Sequence, residues 1–242
     1  MTTRLPEHPS RGVDAPMLAA QTELLLTTVS SLDVADLAQP SRCEGWTRAH
    51  VVSHLTANAA ALVNVVRAAV DDVPVTMYPS DVERDAEIER EVGRTPQEHL
   101  ATLRSGCEEL AVQLARLGPE HTGRMVERTP GGRLVPAAAA AFLRLNEVVI
   151  HHTDLAAGHD FAAVAPEVAQ LLVAHHISGL AHRAASVDLV VAVDGFDPVP
   201  VGAGGQVVGG AAGPVLGWLT RGRTDGVATL DGTPLPSLPP EG

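Results

Sequence analysis

The chain has 242 residues, of which 45% are hydrophobic and only 2% aromatic, and it carries a formal net charge of -12. A core of Ala, Val and Leu favours closely packed helices over an aromatic-rich β-sandwich. The negative charge, without any block of basic residues, argues against nucleic-acid binding.

The basic and sulfur-containing residues exclude several kinds of site. All 17 basic residues are arginine, which rules out a Schiff-base lysine and a P-loop lysine. Only Cys43 and Cys107 occur, far apart, so a disulfide framework or a Cys-rich zinc site is excluded, and we interpret both as reduced packing residues. No apolar run reaches the roughly 18 residues of a membrane span, and no signal peptide opens the chain. We therefore expect a cytoplasmic protein that does not contact a membrane.

Helical periodicity dominates the first part of the chain. The first 12 residues are polar and are expected to be frayed. Apolar residues then recur at helical spacing from Asp14 to Leu32 and predict a first long helix. After a loop from Ala38 to Trp46, Thr47 is a suitable N-cap for a second helix that runs to about Val70.

Two more long helices follow before the pattern changes. A connection from Asp71 to Ser80 leads to a short, charged helix from Asp81 to Val92. Thr95-Pro96 supplies an N-cap and a first-turn proline for a helix that ends near Leu117. After a loop from Gly118 to Leu134, a fourth long helix runs from Pro136 to about Ala157. Four long helices separated by connections predict a four-helix bundle.

The last third of the chain combines short β-branched runs with helical segments. Helices are predicted from Pro166 to about Ala185 and from Pro214 to Thr220, and strands at Asp188–Val193, Gln206–Val208 and Gly226–Leu230. The sequence therefore predicts an α+β protein, with a helical-bundle domain over residues 1–163 followed by a small α/β domain over residues 164–242.

The fourth long helix carries the most informative pair, Glu147 and His151. Residues four apart share a helical face, and a carboxylate with an imidazole on one face forms half of a metal site. Glu147 lies in an apolar stretch, where a carboxylate is costly to bury unless it is paired or bound to a metal. An ion pair with Arg84 or Arg144 is the alternative explanation.

The second helix can complete the site through one of two histidines. His50 and His54 are also four residues apart and could form a two-histidine edge of their own. We favour His54, because it lies deeper in the apolar stretch, and because catalytic zinc takes three protein ligands and leaves one position open. Asp154 follows His151 by three residues and either orients that histidine or caps the helix, whereas His152 points away from this face. For His50 and His54 alike, the alternative is a histidine that forms hydrogen bonds and binds no metal.

Five motifs run in order along the chain. Two of them contain the candidate metal ligands: Glu44–His54, which begins Glu-Gly-Trp, and Glu147–Leu155. Three further stretches are Met77–Ser80, Gly132–Pro136 and Gly222–Val227. Together they resemble the mycothiol-dependent maleylpyruvate isomerase family over about residues 14–235. The first two motifs recur among DinB-like relatives, and the other three make the resemblance to the isomerases more specific.

The resemblance implies a DinB-like four-helix bundle that holds zinc, followed by a smaller α/β domain that contributes to the active site. It implies three metal ligands: His54, Glu147 and His151. It also implies a role for Arg223 in substrate binding or catalysis and places Arg84 near the metal ligands. Asn146 stands where many broader relatives have an arginine, which changes the surroundings of the glutamate.

The resemblance also implies the chemistry. Maleylpyruvate has a cis double bond conjugated to a carbonyl, and a thiolate that adds to this bond leaves a single bond that can rotate. Elimination then gives fumarylpyruvate and regenerates the thiol, which mycothiol supplies. Bound zinc lowers the pKa of a thiol, and arginine suits the two carboxylates of the substrate. The expected partners are mycothiol and a small dicarboxylate, with no nucleic acid, no membrane and a monomeric chain.

Three other functions stay open at this point. The closest transfers mycothiol to another electrophile without isomerisation. The others are metal-assisted hydrolysis and a noncatalytic module whose metal or ion pair holds helices together. A stable mycothiol adduct would favour transfer, and thiol-independent cleavage would favour hydrolysis. Metal analysis of the wild type and of His54→Ala addresses the third function, and protein without bound metal would refute a metal-centred reaction.

Overall fold

The computed structural model describes residues 3–7, 12–182 and 187–238. The chain forms two compact units, Val13–His159 and, as the second, Met1–Gly12 with Asp160–Gly242. The sequence predicts a boundary near residue 163, and the chain passes from one unit to the other between residues 159 and 160. The last residues of the helix predicted to end at about Ala185 lie outside the described residues, as do residues 1–2 and 8–11 of the segment expected to be frayed.

The N-terminal unit contains six α-helices in its described residues. They are α1 Ala15–Ser30, α2 Val34–Leu37, α3 Arg48–Val70, α4 Asp81–Glu91, α5 Pro96–Leu114 and α6 Ala140–Asp154. The four long helices pack as a bundle, in which α1 and α3 each contact both α5 and α6. The predicted four-helix bundle is therefore confirmed.

Local sequence fixes where two of the long helices begin. Asp14 Oδ1 accepts a hydrogen bond from the backbone N–H of Met17 at 2.8 Å at the start of α1. At the start of α5, Thr95 and Glu98 form a reciprocal capping box. Each cap satisfies backbone N–H groups that the first helical turn leaves without partners.

Helix α3 runs through the centre of the bundle. Within the described residues it is the one helix long and apolar enough to cross a membrane by length and composition alone, yet 78% of its most apolar window is buried inside the protein. Val51 and Leu55 belong to one apolar core cluster, and Leu62 and Val65 belong to another. A bundle's central helix meets the same test of length and composition, so the finding is weak evidence for a membrane span.

A short hairpin interrupts the loop that we predicted between α5 and α6. Strands β1 (Met125–Glu127) and β2 (Leu134–Pro136) pair in antiparallel fashion. Because Pro136 ends β2, helix α6 begins only at Ala140, after a 3-10 turn, later than the sequence predicts. Strands of three residues carry too little alternation to be recognised in a sequence.

In its described residues, the C-terminal unit combines two α-helices with a four-stranded sheet. Its elements are α7 Pro166–His182, β3 Leu189–Val193, β4 Val199–Val201, β5 Gln206–Gly210, α8 Ala212–Arg221 and β6 Val227–Thr229. The strand order is β4-β3-β5-β6, with β3 and β5 parallel and the other neighbours antiparallel. Helix α7 packs against α8. The mixture of helices and sheet confirms the predicted α+β class, although β4 was not predicted.

Part of the N-terminal segment belongs to the C-terminal unit. Thr3 forms an isolated bridge with Phe196, and its carbonyl accepts a hydrogen bond from the backbone N–H of Asp197 at 2.9 Å. Leu5 is buried. The expectation of a frayed segment is therefore wrong for these residues, because backbone pairing and an apolar side chain hold them.

Candidate metal centre

Two helices bring three potential metal ligands together. His54 lies on α3, and Glu147 and His151 lie one turn apart on α6. The Oε2 atom of Glu147 is 2.8 Å from His54 Nε2 and 3.3 Å from His151 Nε2. One ligand atom from each residue lies within 4.8 Å of the other two. We call these three residues the donor cluster.

A buried carboxylate holds one histidine of the donor cluster in place. His151 Nδ1 is 2.9 Å from Oδ2 of Asp154, whose side chain is 0% exposed. This contact leaves Nε2 of His151 to face Glu147. A carboxylate behind a histidine fixes the ring orientation and raises its basicity as a ligand. Of the two roles that the sequence allows for Asp154, the geometry matches the orienting one.

Cys43 lies beside the contact between His151 and Asp154, a position that the sequence did not reveal. Its thiol donates a hydrogen bond to Asp154 Oδ2 at 3.4 Å, and the sulfur is 3.9 Å from His151 Nδ1. Cys43, His151 and Asp154 form a second group whose ligand atoms lie within 4.8 Å of one another. Our interpretation of Cys43 as a packing residue therefore missed a polar role, because 108 residues of chain separate it from His151.

The electrostatics of the donor cluster suit a bound cation. Burial alone would raise the pKa of Glu147, but hydrogen bonds and charge from His151 and His54 hold that pKa well below its ordinary value. Burial lowers the pKa of His54. Burial would also lower the pKa of His151, but hydrogen bonds with Asp154, Cys43 and Glu147 raise it well above its ordinary value.

These directions provide a test of whether the residues fit a metal ion. Glu147 is held ionised, His54 is held neutral, and His151 binds a proton readily. A divalent cation can bind to these three groups in place of that proton. Nitrogen and oxygen donors of this kind are ligands that zinc accepts. The side chain of Glu147 is 29% exposed, so the cluster is also reachable from solvent.

Glu147 has no arginine partner among the described residues. Arg84 donates to Asp85 Oδ1 at 2.8 and 3.0 Å. Arg144 donates through Nη1 to the carbonyl of Leu55 and to Asn58 Oδ1, both at 2.8 Å. The ion pair considered as an alternative explanation for Glu147 is therefore not formed.

The two neighbouring histidines lie outside the donor cluster. His50 Nδ1 is 2.7 Å from Thr47 Oγ1 and accepts a hydrogen bond from the backbone N–H of Thr47 at 3.2 Å. It thereby helps to start α3. His152 is 2.8 Å from Thr28 Oγ1 and stacks on His159 with ring centroids 3.8 Å apart.

Aromatic and cationic side chains surround the donor cluster. Trp46 lies with its ring centroid 5.6 Å from that of His54. The guanidinium carbons of Arg84 and Arg128 lie 6.0 and 5.2 Å from the centroid of the Tyr78 ring. Burial, followed by the charge of Glu147, raises the pKa of Tyr78. Arg84 also acts electrostatically on His54, where it contributes to the lowered pKa.

Arg223 belongs to the C-terminal unit and follows α8 directly. Gly222 ends that helix in the left-handed conformation, with φ at 62°, which glycine adopts without steric cost. Arg223 Nη2 is 2.9 Å from Asp225 Oδ2 and 3.6 Å from Asp160 Oδ2. Two carboxylates of the same unit therefore hold the guanidinium.

The fold and the donor cluster define a helical-bundle protein with a candidate His–Glu–His metal centre. Residues 18–156 match the family model of the mycothiol maleylpyruvate isomerase N-terminal domain. The chain belongs to this family, which confirms the resemblance seen in the sequence.

Solved structures extend the likeness over the whole chain. Two crystal structures of mycothiol-dependent maleylpyruvate isomerase, one of them of a histidine-to-alanine mutant, are each 26% identical to this chain. Both alignments cover 100% of each chain, with TM-scores of 0.84 and, for the mutant, 0.83. No curated protein matches the chain.

Proposed function

We propose that the protein is an enzyme that converts maleylpyruvate to fumarylpyruvate with mycothiol as the thiol. The family and the two similar crystal structures support this activity. The observation that carries the proposal is the donor cluster itself, in which three ligand atoms from two helices converge within 4.8 Å.

We propose His54, Glu147 and His151 as the residues that hold zinc. When bound, zinc would supply a Lewis acid that keeps a thiol ionised at neutral pH. Asp154 orients His151 through the 2.9 Å contact at Nδ1. His54, Glu147 and His151 would hold the ion through three protein ligands, and the thiol of mycothiol would be its further ligand.

We propose a role for Arg223 in substrate binding or catalysis, and Arg84 is the arginine that the resemblance places near the metal ligands. Each guanidinium pairs with aspartates that are at least partly exposed, Arg84 with Asp85 and Arg223 with Asp225 and Asp160. Such pairs are weak in water, so a substrate carboxylate can replace them with little cost. The planar guanidinium pairs with a carboxylate through two parallel hydrogen bonds.

The test is to incubate purified protein with mycothiol and maleylpyruvate and to measure fumarylpyruvate. We expect turnover that requires mycothiol and that is lost, together with bound metal, in His54→Ala. The matched control is His50→Ala, which removes a histidine one turn earlier on α3 and outside the donor cluster.

Each alternative outcome identifies a different function. A stable mycothiol adduct without fumarylpyruvate would show transfer to an electrophile instead of isomerisation. Cleavage of an ester or amide without thiol would show hydrolysis. Protein that binds no metal would refute the metal-centred reaction altogether.

A further inference from the structure

A pocket of about 620 Å³ lies between α1, α5 and the first turns of α6, within the N-terminal unit. Aliphatic side chains form most of its wall, among them Leu18, Leu26, Leu110, Leu114 and Ala141. The volume falls within the range of about 300–1,000 Å³ that is typical of small-molecule sites. None of the three residues of the donor cluster lines this pocket.

One charged side chain in the wall is deeply buried. Arg144 lines the pocket and is only 1% exposed. It donates to the carbonyl of Leu55, to Asn58 Oδ1 and to Cys107 Sγ, at 2.8, 2.8 and 3.2 Å. No carboxylate of the described residues pairs with it, and Glu147, one turn further along α6, is engaged by two histidines.

The buried guanidinium retains the capacity to bind an anion. A guanidinium has five N–H donors, and the three hydrogen bonds use three of them, which leaves two for a ligand. A buried charge without a counter-charge costs free energy, which a bound anion would reduce. A hydrogen bond between two charged partners is also stronger than one between neutral groups.

Exposed side chains of both charges line the outer part of the pocket. They include Glu23, Glu108 and Arg104. Arg144 places a positive charge at a buried position instead, where water screens it less. The pocket therefore combines an aliphatic wall with a buried cation and an outer part of mixed charge.

We propose that this pocket binds a small amphipathic monocarboxylate. The carboxylate accepts hydrogen bonds from Arg144, and the hydrocarbon chain packs against the aliphatic wall. The charge of Arg144 favours a carboxylate over a neutral apolar molecule of the same length. The proposal does not depend on the isomerase activity, because it uses none of the residues assigned to that reaction.

The experiment compares octanoate with octanol by isothermal titration calorimetry. Octanoate is expected to bind the wild type about tenfold or more tightly than octanol, as one charge-assisted contact would give. Ala111→Phe fills the pocket from α5 and should weaken octanoate binding at least as much. The matched control is Ala101→Phe, an exposed alanine on the same helix that does not line the pocket, and it should bind like the wild type.

Arg144→Gln tests the charge directly. We expect octanoate affinity to fall about tenfold or more while octanol affinity stays unchanged. If this variant does not fold, the comparison of octanoate with octanol on wild type and Ala111→Phe decides alone. Equal binding of the two probes, equal octanoate binding by Ala111→Phe, or no octanoate binding by the wild type at millimolar concentration would overturn the proposal.

Cys107 provides a second measurement that does not depend on affinity. Its sulfur lies beside Arg144 and it lines the pocket, so octanoate should slow its alkylation by N-ethylmaleimide. Cys43 lies elsewhere and is the internal control, with the two sites resolved by peptide mass spectrometry. An unchanged rate at Cys107 under saturating octanoate would place the ligand outside the pocket.

Discussion

Two polar clusters share the contact between α3 and α6, and they differ in the charge at their centres. In the donor cluster, the carboxylate of Glu147 is shared by His54 and His151. One turn earlier on α6, the guanidinium of Arg144 is held by the Leu55 carbonyl and by Asn58. The contact between the same two helices thus has a carboxylate at the centre of one cluster and, three residues earlier on α6, a guanidinium at the centre of the other.

The difference teaches that burial of a polar residue does not by itself identify a catalytic site. Arg144 is more deeply buried than Glu147, yet it carries no metal-ligand chemistry, because a guanidinium only donates hydrogen bonds. Glu147, His54 and His151 instead have lone pairs on ligand atoms that lie close together, as a metal site requires. Substitutions in each cluster test whether the two clusters act separately.

Glu147→Gln should have the largest effect. The substitution removes the negative charge at the centre of the donor cluster, so bound metal and isomerase activity should both be lost. Removal of a group that only hydrogen-bonds to a metal ligand lowers metal affinity roughly 10- to 100-fold. Because Glu147 is itself a proposed ligand, the loss should be larger. Metal content after dialysis and competition with a chelator measure it. Glu89→Gln, which removes a glutamate 3.5 Å from His50, is the control and should retain metal.

Asp154→Asn should weaken metal binding by about 10- to 100-fold while the fold is kept. The amide still offers an oxygen to His151 Nδ1, but the charge that raises the basicity of the ring is gone. Chelator competition gives the affinity, and Asp85→Asn, an exposed aspartate beside Arg84, is the control. An unchanged affinity would mean that helix packing alone orients His151.

Arg144→Met should lower the free energy of unfolding by about 1–3 kcal/mol, because the Leu55 carbonyl and the Asn58 amide lose a buried donor. The metal content should remain that of the wild type. Urea unfolding measures the stability, and Arg104→Met, an exposed position on α5, should stay within about 0.5 kcal/mol of the wild type. A parallel loss of metal would show that the two clusters are not separate.

Cys43→Ala should have the smallest effect, a change in metal affinity of less than about tenfold, since its thiol contacts Asp154, which supports a ligand. Cys107→Ala is the control. The opposite result is informative as well. If Cys43→Ala loses the metal and His54→Ala keeps it, the ion binds to Cys43, His151 and Asp154, and our assignment of the ligands is wrong.

Helical periodicity and caps were enough to predict the bundle, because each signal acts within a few residues. Thr47 and Thr95 precede helices that begin at the next residue. The hairpin of β1 and β2 was missed, because it depends on pairing between two separate segments of the chain. Its strands are three residues long and are defined by pairing with each other, not by their own pattern.

Residue spacing alone predicts the candidate site only where its residues share a helix. Glu147 and His151 are four apart, so their common face follows from helical geometry. Spacing could not separate His54 from His50. The depth of His54 in the apolar stretch favours it over His50. The structure agrees, because His54 lies against Glu147 whereas His50 contacts Thr47. The contacts of Cys43 join parts of the chain more than 100 residues apart, which no local pattern encodes.

The position of the donor cluster across two helices has a consequence for the protein as a whole. His54 and Glu147 are separated by 93 positions in the chain, so an ion held by both would act as a reversible cross-link between α3 and α6. A species that binds the folded chain and not the unfolded one shifts the folding equilibrium by mass action. The midpoint temperature of unfolding would then rise with the concentration of free metal, and the amount of folded protein would follow the metal supply of its surroundings.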